Sequence, residues 1–385
     1  MSRKDLKHLF TPGTGAVPPY LAGRKEEQEY FQDCVEVLTD RKPVNRDLIV
    51  YGPRGNGKTA LLTYLQQETL QKEGAKLDIL WATPDEMGTL VELSIRLTED
   101  HPKLRNRIKS AGVSGGVGLA QAHIEIDLSR PSATIRKLLQ ERSQNKPLIL
   151  IVDEAHRLKA PIAESLLNAS QIVRREGKPF LLVLAGTPNL MAALGKTNAS
   201  FGSRSKIFPL GRLSPEEAGQ AIIVPLQKVG VSCTPGVIGE IVERTHCYPF
   251  FLQIQGDCLA RRLAQTGQTE VTLSMLRAVE AEAHGEHDAM YQIRRNEIRE
   301  MGLLTVAESV ADAFIQRGQP VLHERALEEA VARAMADDDE PTTDRRILDK
   351  FEQLSHLGYI WQLEGADYEP GIPSLMSYIR EYSLA

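Results

Sequence analysis

Long apolar runs are missing from this 385-residue chain. The longest, Pro147–Val152 and Phe180–Ala185, fall well short of the ~18 residues a membrane-spanning helix needs and suit buried strands instead. The opening segment, Met1–Pro12, is polar and lacks the apolar stretch of a secretion signal. Cysteine is scarce as well: Cys34, Cys233, Cys247 and Cys258 contain no Cys-x-x-Cys pair and are too few to staple a chain of this length. Reduced core thiols in a cytoplasmic protein with no membrane partner are the expectation. There is no repeat of 20–50 residues and no low-complexity domain.

What is present points to a globular protein of more than one part. The chain exceeds the roughly 250–300 residues at which one hydrophobic core stops growing. Its hydrophobic content of 42% and charged content of 25% are those of a folded protein. The formal net charge of −5 is unevenly spread: residues 1–280 sum to +6 and residues 281–385 to −11. Two electrostatic units with different partners follow from that split.

Thr11–Pro19 is rich in Pro, Gly and Thr and reads as part of an extended arm over residues 1–18. Lys25–Thr39 has Phe31, Cys34, Val35 and Leu38 at helical spacing. Strand-like runs then alternate with helical stretches: Asp47–Tyr51, Leu77–Ala82, Pro147–Asp153, Phe180–Ala185 and Ile207–Leu210. Near-continuous apolar strands separated by helices predict a parallel sheet covered on both faces. Beyond residue 211 the pattern becomes helical and strands are hard to find. Ser214-Pro215-Glu216-Glu217 there has an N-cap, Pro at N1 and Glu at N3. From Arg294 onward, helices near Leu303–Arg317, Glu324–Met335 and Thr343–His356 precede a β-pair around Tyr359–Leu363 and Asp367–Pro370, the outline of a winged helix. Asp337–Glu340, four acids in a row, reads as a solvated loop between its second and third helices.

The chemistry concentrates in two segments. Gly52-Pro53-Arg54-Gly55-Asn56-Gly57-Lys58-Thr59, followed by Ala60, fits G-x-x-x-x-G-K-[ST] and lies after a strand and before a helix, Ala60–Gln71. Its glycines let backbone N–H groups converge on phosphate oxygens, the helix points its positive end at them, and Lys58 adds a cation. Thr59 offers a hydroxyl to Mg²⁺. Asp153 and Glu154 end the apolar run Leu148–Val152, at the strand edge where open α/β sheets place ligands. Asp153 suits the Mg²⁺ shell and Glu154 suits the orientation and deprotonation of an attacking water. Asp153-Glu154-Ala155-His156 also spells a helicase box. Ser132-Ala133-Thr134 falls before that box rather than after it, however, and no Gln-x-x-Gly-Arg follows, so His156 is expected to pack or hydrogen-bond near the strand end. After Leu181–Ala185, Thr187 and Asn189 are both candidates for a polar sensor of the γ-phosphate. Arg204, in a basic loop before the last strand, is a candidate to reach a neighbouring subunit's γ-phosphate.

With these residues in place the chain resembles an AAA+ ATPase, and within that class the bacterial and archaeal ATPases of the origin-recognition and signalling (STAND) groups. The likeness is carried by Pro19–Arg24, Gly52–Thr59, Asp153-Glu154, Ala185–Pro188 and Thr245–Gln253, with a looser C-terminal match at Pro370–Met376. It implies an α/β P-loop NTPase fold, a parallel sheet flanked by helices in residues 19–211, then an α-helical lid (212–290) and a C-terminal winged-helix domain (291–385). It further implies that Gly23 and Arg24 lie near the adenine of ATP and that Tyr248 and Pro249 belong to a lid closing over the nucleotide. A sensor-two arginine has no clear counterpart, because Pro249 occupies that region and Arg261-Arg262 come a dozen residues later.

Effector surfaces are expected at two places. Within Pro102–Ser129 a basic run, Lys103, Arg105, Arg107 and Lys109, precedes a Gly-rich stretch and the alternating Ala122–Leu128, which suggests an inserted hairpin. On the third helix of the winged unit, Arg345, Arg346 and Lys350 form a local basic stripe inside a segment of charge −11. A nucleotide-dependent switch acting on a protein partner is the leading expectation. A DNA-binding initiator or transposition-type loader is the alternative, and a homo-oligomer in the ATP state is expected under either.

Overall fold

The computed structural model describes residues 6, 8–13, 15–98, 131–197, 199–336, 341–363 and 365–383. The hairpin expected within Pro102–Ser129 and the acidic run Asp337–Glu340 lie outside the described residues. The chain divides into two compact units. One is made of Arg24–Tyr51 and Leu61–Pro209, the other of Met1–Gly23, Gly52–Ala60 and Leu210–Ala385.

The first unit is built on a parallel sheet of β1 (Asp47–Tyr51), β2 (Asp78–Ala82), β3 (Leu148–Val152), β4 (Phe180–Gly186) and β5 (Ser205–Pro209), in the order β2-β3-β4-β1-β5. Every residue of β3 and β4 is buried, which is why their sequences are unbroken apolar runs rather than alternating ones. In register, Ile49 lies beside Leu184 on one side and Ile207 on the other, and Leu150 lies between Leu80 and Leu182. Around the sheet lie α1 (Lys25–Thr39), α2 (Lys58–Glu73), α3 (Leu90–Thr98), α4 (Pro131–Asn145), α5 (Ala160–Arg175), α6 (Asn189–Thr197) and the short α7 (Ala199–Ser203). The first helix buries Phe31, Cys34, Val35 and Leu38, the four residues its spacing selected. Helix α2 starts in the other unit, at Lys58, and runs on into this one.

A buried ion pair fixes the start of β1. Asp47 is fully buried, accepts hydrogen bonds from the Leu182 amide at 3.1 Å and the Ser170 hydroxyl at 2.9 Å, and pairs with Arg174 at 2.9 Å. Burial nevertheless pushes its carboxyl above the usual range, outweighing the Arg174 charge and the two hydrogen bonds.

The second unit contains the helical lid and the winged helix. Lid helix α8 (Pro215–Lys228) opens on a reciprocal capping box: the Glu217 amide donates to the Ser214 hydroxyl at 3.2 Å, and the Ser214 amide donates to the Glu217 carboxylate at 2.9 Å. It is followed by α9 (Val237–Thr245), α10 (Pro249–Thr266), α11 (Leu273–Ala278) and α12 (Glu280–Glu300). Two strands of two residues, β6 (Ser232–Cys233) and β7 (Glu270–Val271), pair where the sequence offered none. Helix α12 runs unbroken through residues 290 and 291, so the expected lid boundary falls inside a helix.

The N-terminal arm is less extended than its composition suggests. Leu6, Leu9 and Phe10 are buried in the lid core with Phe251, Leu252 and Leu259. Phe10 lies against Gly256 of α10, where any Cβ would collide with its ring. The Thr11 amide donates to Gln253 Oε1 at 3.2 Å. Three apolar residues over so short a stretch carry no periodicity, so only packing could place them.

The winged helix comprises α13 (Leu304–Arg317), β8 (Leu322–His323), α14 (Glu324–Ala334), α15 (Asp344–His356), β9 (Ile360–Gln362) and β10 (Asp367–Pro370). Its antiparallel sheet is ordered β8-β10-β9. An additional helix, α16 (Leu375–Ser383), closes it. Its core is tied by the Tyr359 hydroxyl, which donates to the Ala307 carbonyl at 2.9 Å.

Candidate nucleotide site

Gly52 follows β1 directly. Gly55 and Gly57 have φ of 81° and 83°, the left-handed region that glycine alone enters freely. The Lys58 ammonium is buried and donates to the carbonyls of Gly52 at 2.8 Å and Pro53 at 2.7 Å. The Asn56 side-chain amide donates to the Leu210 carbonyl at 3.0 Å. Gly52 packs so closely on that same carbonyl that a Cβ would collide with it. Lid residues hold the next part of the loop: the Tyr248 hydroxyl donates to the Arg54 carbonyl, and the Phe250 amide donates to the Gly55 carbonyl at 3.1 Å. Pro249 opens α10, with Tyr248 as its N-cap. Lys58, Thr59 and Ala60 form the first turn of α2, whose positive dipole end favours an anion.

The arm passes this turn as well. A Cβ on Gly15 would lie 2.9 Å from Thr59 Cγ2, a closeness the Gly-rich composition allowed but did not locate. Gly23 has φ of 66° and faces the Glu217 carboxylate, and Arg24, at φ 61°, precedes α1.

At the C-terminal edge of the sheet the structure brings Glu154, His156 and Thr187 together. Asp153, buried at the end of β3, accepts a hydrogen bond from the Glu154 amide at 2.8 Å. Glu154 has φ of 53°. A non-glycine residue in that region stores about 1–3 kcal/mol of strain, a feature that gathers at working sites. His156 Nδ1 accepts from the Thr187 amide at 3.3 Å, so in the neutral ring the proton lies on Nε2, which is 3.5 Å from Glu154 Oε2. The histidine expected to hydrogen-bond near the strand end thus bridges the candidate base and the candidate sensor. Sequence alone gave no sign of that bridge, because β3 and β4 become neighbours only in the sheet. Thr187 is buried, and Asn189 is half-buried at the start of α6.

Arg204 is not part of this grouping. It precedes β5, whose first residue pairs with Asp47 at the start of β1, and so sits at the opposite edge from Glu154. Five-residue parallel strands at about 3.3 Å per residue separate the two edges by roughly 15 Å. There Arg204 donates to Gln171 Oε1 at 3.4 Å, beside a cleft of about 570 Å³ also lined by Arg46, Arg174 and Arg175. Arg261 of the lid is engaged by Asp257 at 2.9 Å, Glu282 at 2.8 Å and Glu286 at 2.7 Å.

A glycine loop with a buried lysine between a central parallel strand and a helix, in a sheet whose next strand but one ends in Asp-Glu, defines a P-loop nucleoside triphosphatase. Residues 20–184 match the family model described as the AAA ATPase domain. No curated protein matches the chain by sequence. Among solved structures, a Walker-type ATPase of Pyrococcus abyssi is 15% identical, with 97% of this chain and 99% of that chain covered and a TM-score of 0.63. The ORC2 protein of Aeropyrum pernix, in ADPNP–ADP complexes, is 13% identical over 98% and 99%, with a TM-score of 0.58. The ORC1 protein of the same organism, in complex with DNA, is 14% identical over 100% and 97%, with a TM-score of 0.50. At these identities the likeness is one of fold, and it extends over the sheet, the lid and the winged helix. Among the described residues no helix is long and apolar enough to cross a membrane.

Proposed function

We propose that the protein is a cytosolic, ATP- and Mg²⁺-dependent switch whose nucleotide state sets the lid and winged helix and thereby controls a protein partner. One observation carries the reading: the phosphate loop, Gly52–Ala60, belongs to the same compact unit as the lid and winged helix, with Arg54 and Gly55 hydrogen-bonded to lid residues. A ligand that reshapes the loop therefore acts on the effector part directly.

In this reading Lys58 and the loop amides grip the phosphates, with Gly23, Arg24 and Pro249 near the base. Thr59 and Asp153 are hard oxygen donors of the kind Mg²⁺ prefers, and the ion, when bound, neutralises charge building on the phosphate oxygens. Glu154 orients the attacking water and takes its proton, while Thr187 or Asn189 contacts the γ-phosphate. Arg204, at the far edge of its own sheet, serves a neighbouring copy. Lys58→Ala is expected to abolish MgATP binding in calorimetry, and Glu154→Gln to bind ATP with little turnover. Equal affinity in wild type and Lys58→Ala would remove the site.

The second reading, a loader that ATP assembles on DNA, is favoured by the exposed Arg345 and half-buried Arg346 and Lys350 on α15. Phosphate contacts by such residues make affinity fall steeply with salt. ATP-dependent, salt-sensitive binding to duplex DNA in anisotropy measurements selects this reading. No binding at low salt leaves the protein-partner switch.

A further inference from the structure

We propose that Tyr248 is a positioning residue for phosphate binding, acting through the loop backbone rather than by touching the nucleotide; the inference rests on reading Gly52–Thr59 as the phosphate loop. The Tyr248 side chain is fully buried, edge-on to Phe251 with ring centroids 4.8 Å apart, and so presents no face to a ligand. Burial raises its hydroxyl pKa well above the ordinary value, which keeps it a donor. That donor goes to the Arg54 carbonyl.

The consequence follows from peptide geometry. A trans peptide unit is planar, so holding its carbonyl on one side sends the N–H of the next residue to the other. Tying the Arg54 carbonyl to Tyr248 and the Gly55 carbonyl to the Phe250 amide turns the N–H groups of Gly55 and Asn56 away from the lid. Two successive donors are thus aimed from behind before a ligand arrives, which removes part of the ordering cost of binding. The Phe250 amide can serve because first-turn helix amides have no partner within their own helix. Tyr248 also dictates glycine at position 55, where a Cβ would collide with its hydroxyl.

Tyr248→Phe deletes one oxygen and keeps the ring. Calorimetry on the full chain is expected to give about fivefold weaker binding of both MgADP and MgATP, the factor corresponding to one neutral hydrogen bond. Turnover at saturating ATP should stay within about twofold, because the interaction is made equally before and during reaction. Amide exchange should show less ADP-induced protection over residues 54–56. Leu263→Met, which alters the same lid core near the opposite end of α10 from Tyr248, should leave affinity unchanged. Unaltered affinity in a folded Tyr248→Phe protein overturns the proposal, as does weakened binding accompanied by loosening of α10 amides alone. Independently of any variant, the Phe250 amide of the nucleotide-free wild type should be protected from exchange, and fast exchange there also overturns it. Lys58→Ala separates the two levels. Normal binding in that variant removes the phosphate-loop reading itself, whereas lost binding there with normal binding in Tyr248→Phe removes only the role of Tyr248.

Discussion

The ion pair beneath β1 gives the sharpest test of how this scaffold carries its loop. Asp47 has no solvent exposure, and the side chain of its partner Arg174 is 10% exposed. Truncating Asp47 to Ala leaves the guanidinium without its counter-charge and removes the acceptor of the Ser170 hydroxyl and Leu182 amide. Breaking one side of a buried pair costs about 3–5 kcal/mol. For a unit of this size each kcal/mol lowers Tm by about 2–4 °C, so Asp47→Ala should melt on the order of 10 °C below wild type. The raised carboxyl pKa shows that desolvation already outweighs the charge–charge attraction. Replacing both partners with apolar or neutral groups, as in Asp47→Asn with Arg174→Met, should therefore recover most of the loss. The pH sign follows from the same direction. A carboxyl titrating higher in the folded state takes up protons on folding, so its contribution to stability declines as pH rises from about 3.8 through the folded pKa, and this slope should vanish in the double variant. Thermal unfolding followed by circular dichroism reads all three quantities. A drop of under about 3 °C in Asp47→Ala, or a double variant no better than the single, would refute the reasoning.

Four further outcomes are expected. His156→Ala should lower turnover on the order of 10²-fold by releasing Glu154 while leaving MgATP affinity within about twofold, since no phosphate contact is lost; weaker binding with intact turnover would show that His156 serves another role. Arg204→Ala should bind ATP normally and lose activity only at protein concentrations where wild-type turnover rises with self-association, and equal specific activity at all concentrations would leave Arg204 without a trans role. Gly256→Leu should displace Phe10, cost about 1–3 kcal/mol and open the arm before Gly23 to limited proteolysis. Burial, with a smaller contribution from His284, lowers the His287 imidazole to about 4. The unfolded chain therefore takes up more protons between about 6.5 and 4, so stability should be lost as pH falls through that window, and His287→Phe should flatten the loss in pH-dependent melting.

Sequence determined much of this protein because much of it is local. The strand Leu148–Val152 is buried on both faces whatever its neighbours, and its unbroken apolar pattern records that. Gly55 and Gly57 answer to left-handed backbone angles set within the loop itself, so that part of the motif is legible from the local sequence, whereas Gly52 is also held to glycine by the distant Leu210 carbonyl. Capping at Ser214 is likewise complete within four residues. Tertiary structure alone decided what depends on distant segments meeting. Residue pairs such as Tyr248 with Arg54, Phe10 with Gly256 and His156 with Thr187 are separated by 194, 246 and 31 positions, and no periodicity spans such gaps. Arg204 illustrates the same limit: its charge was visible in the sequence, but only strand register put it at the edge of the sheet opposite Glu154.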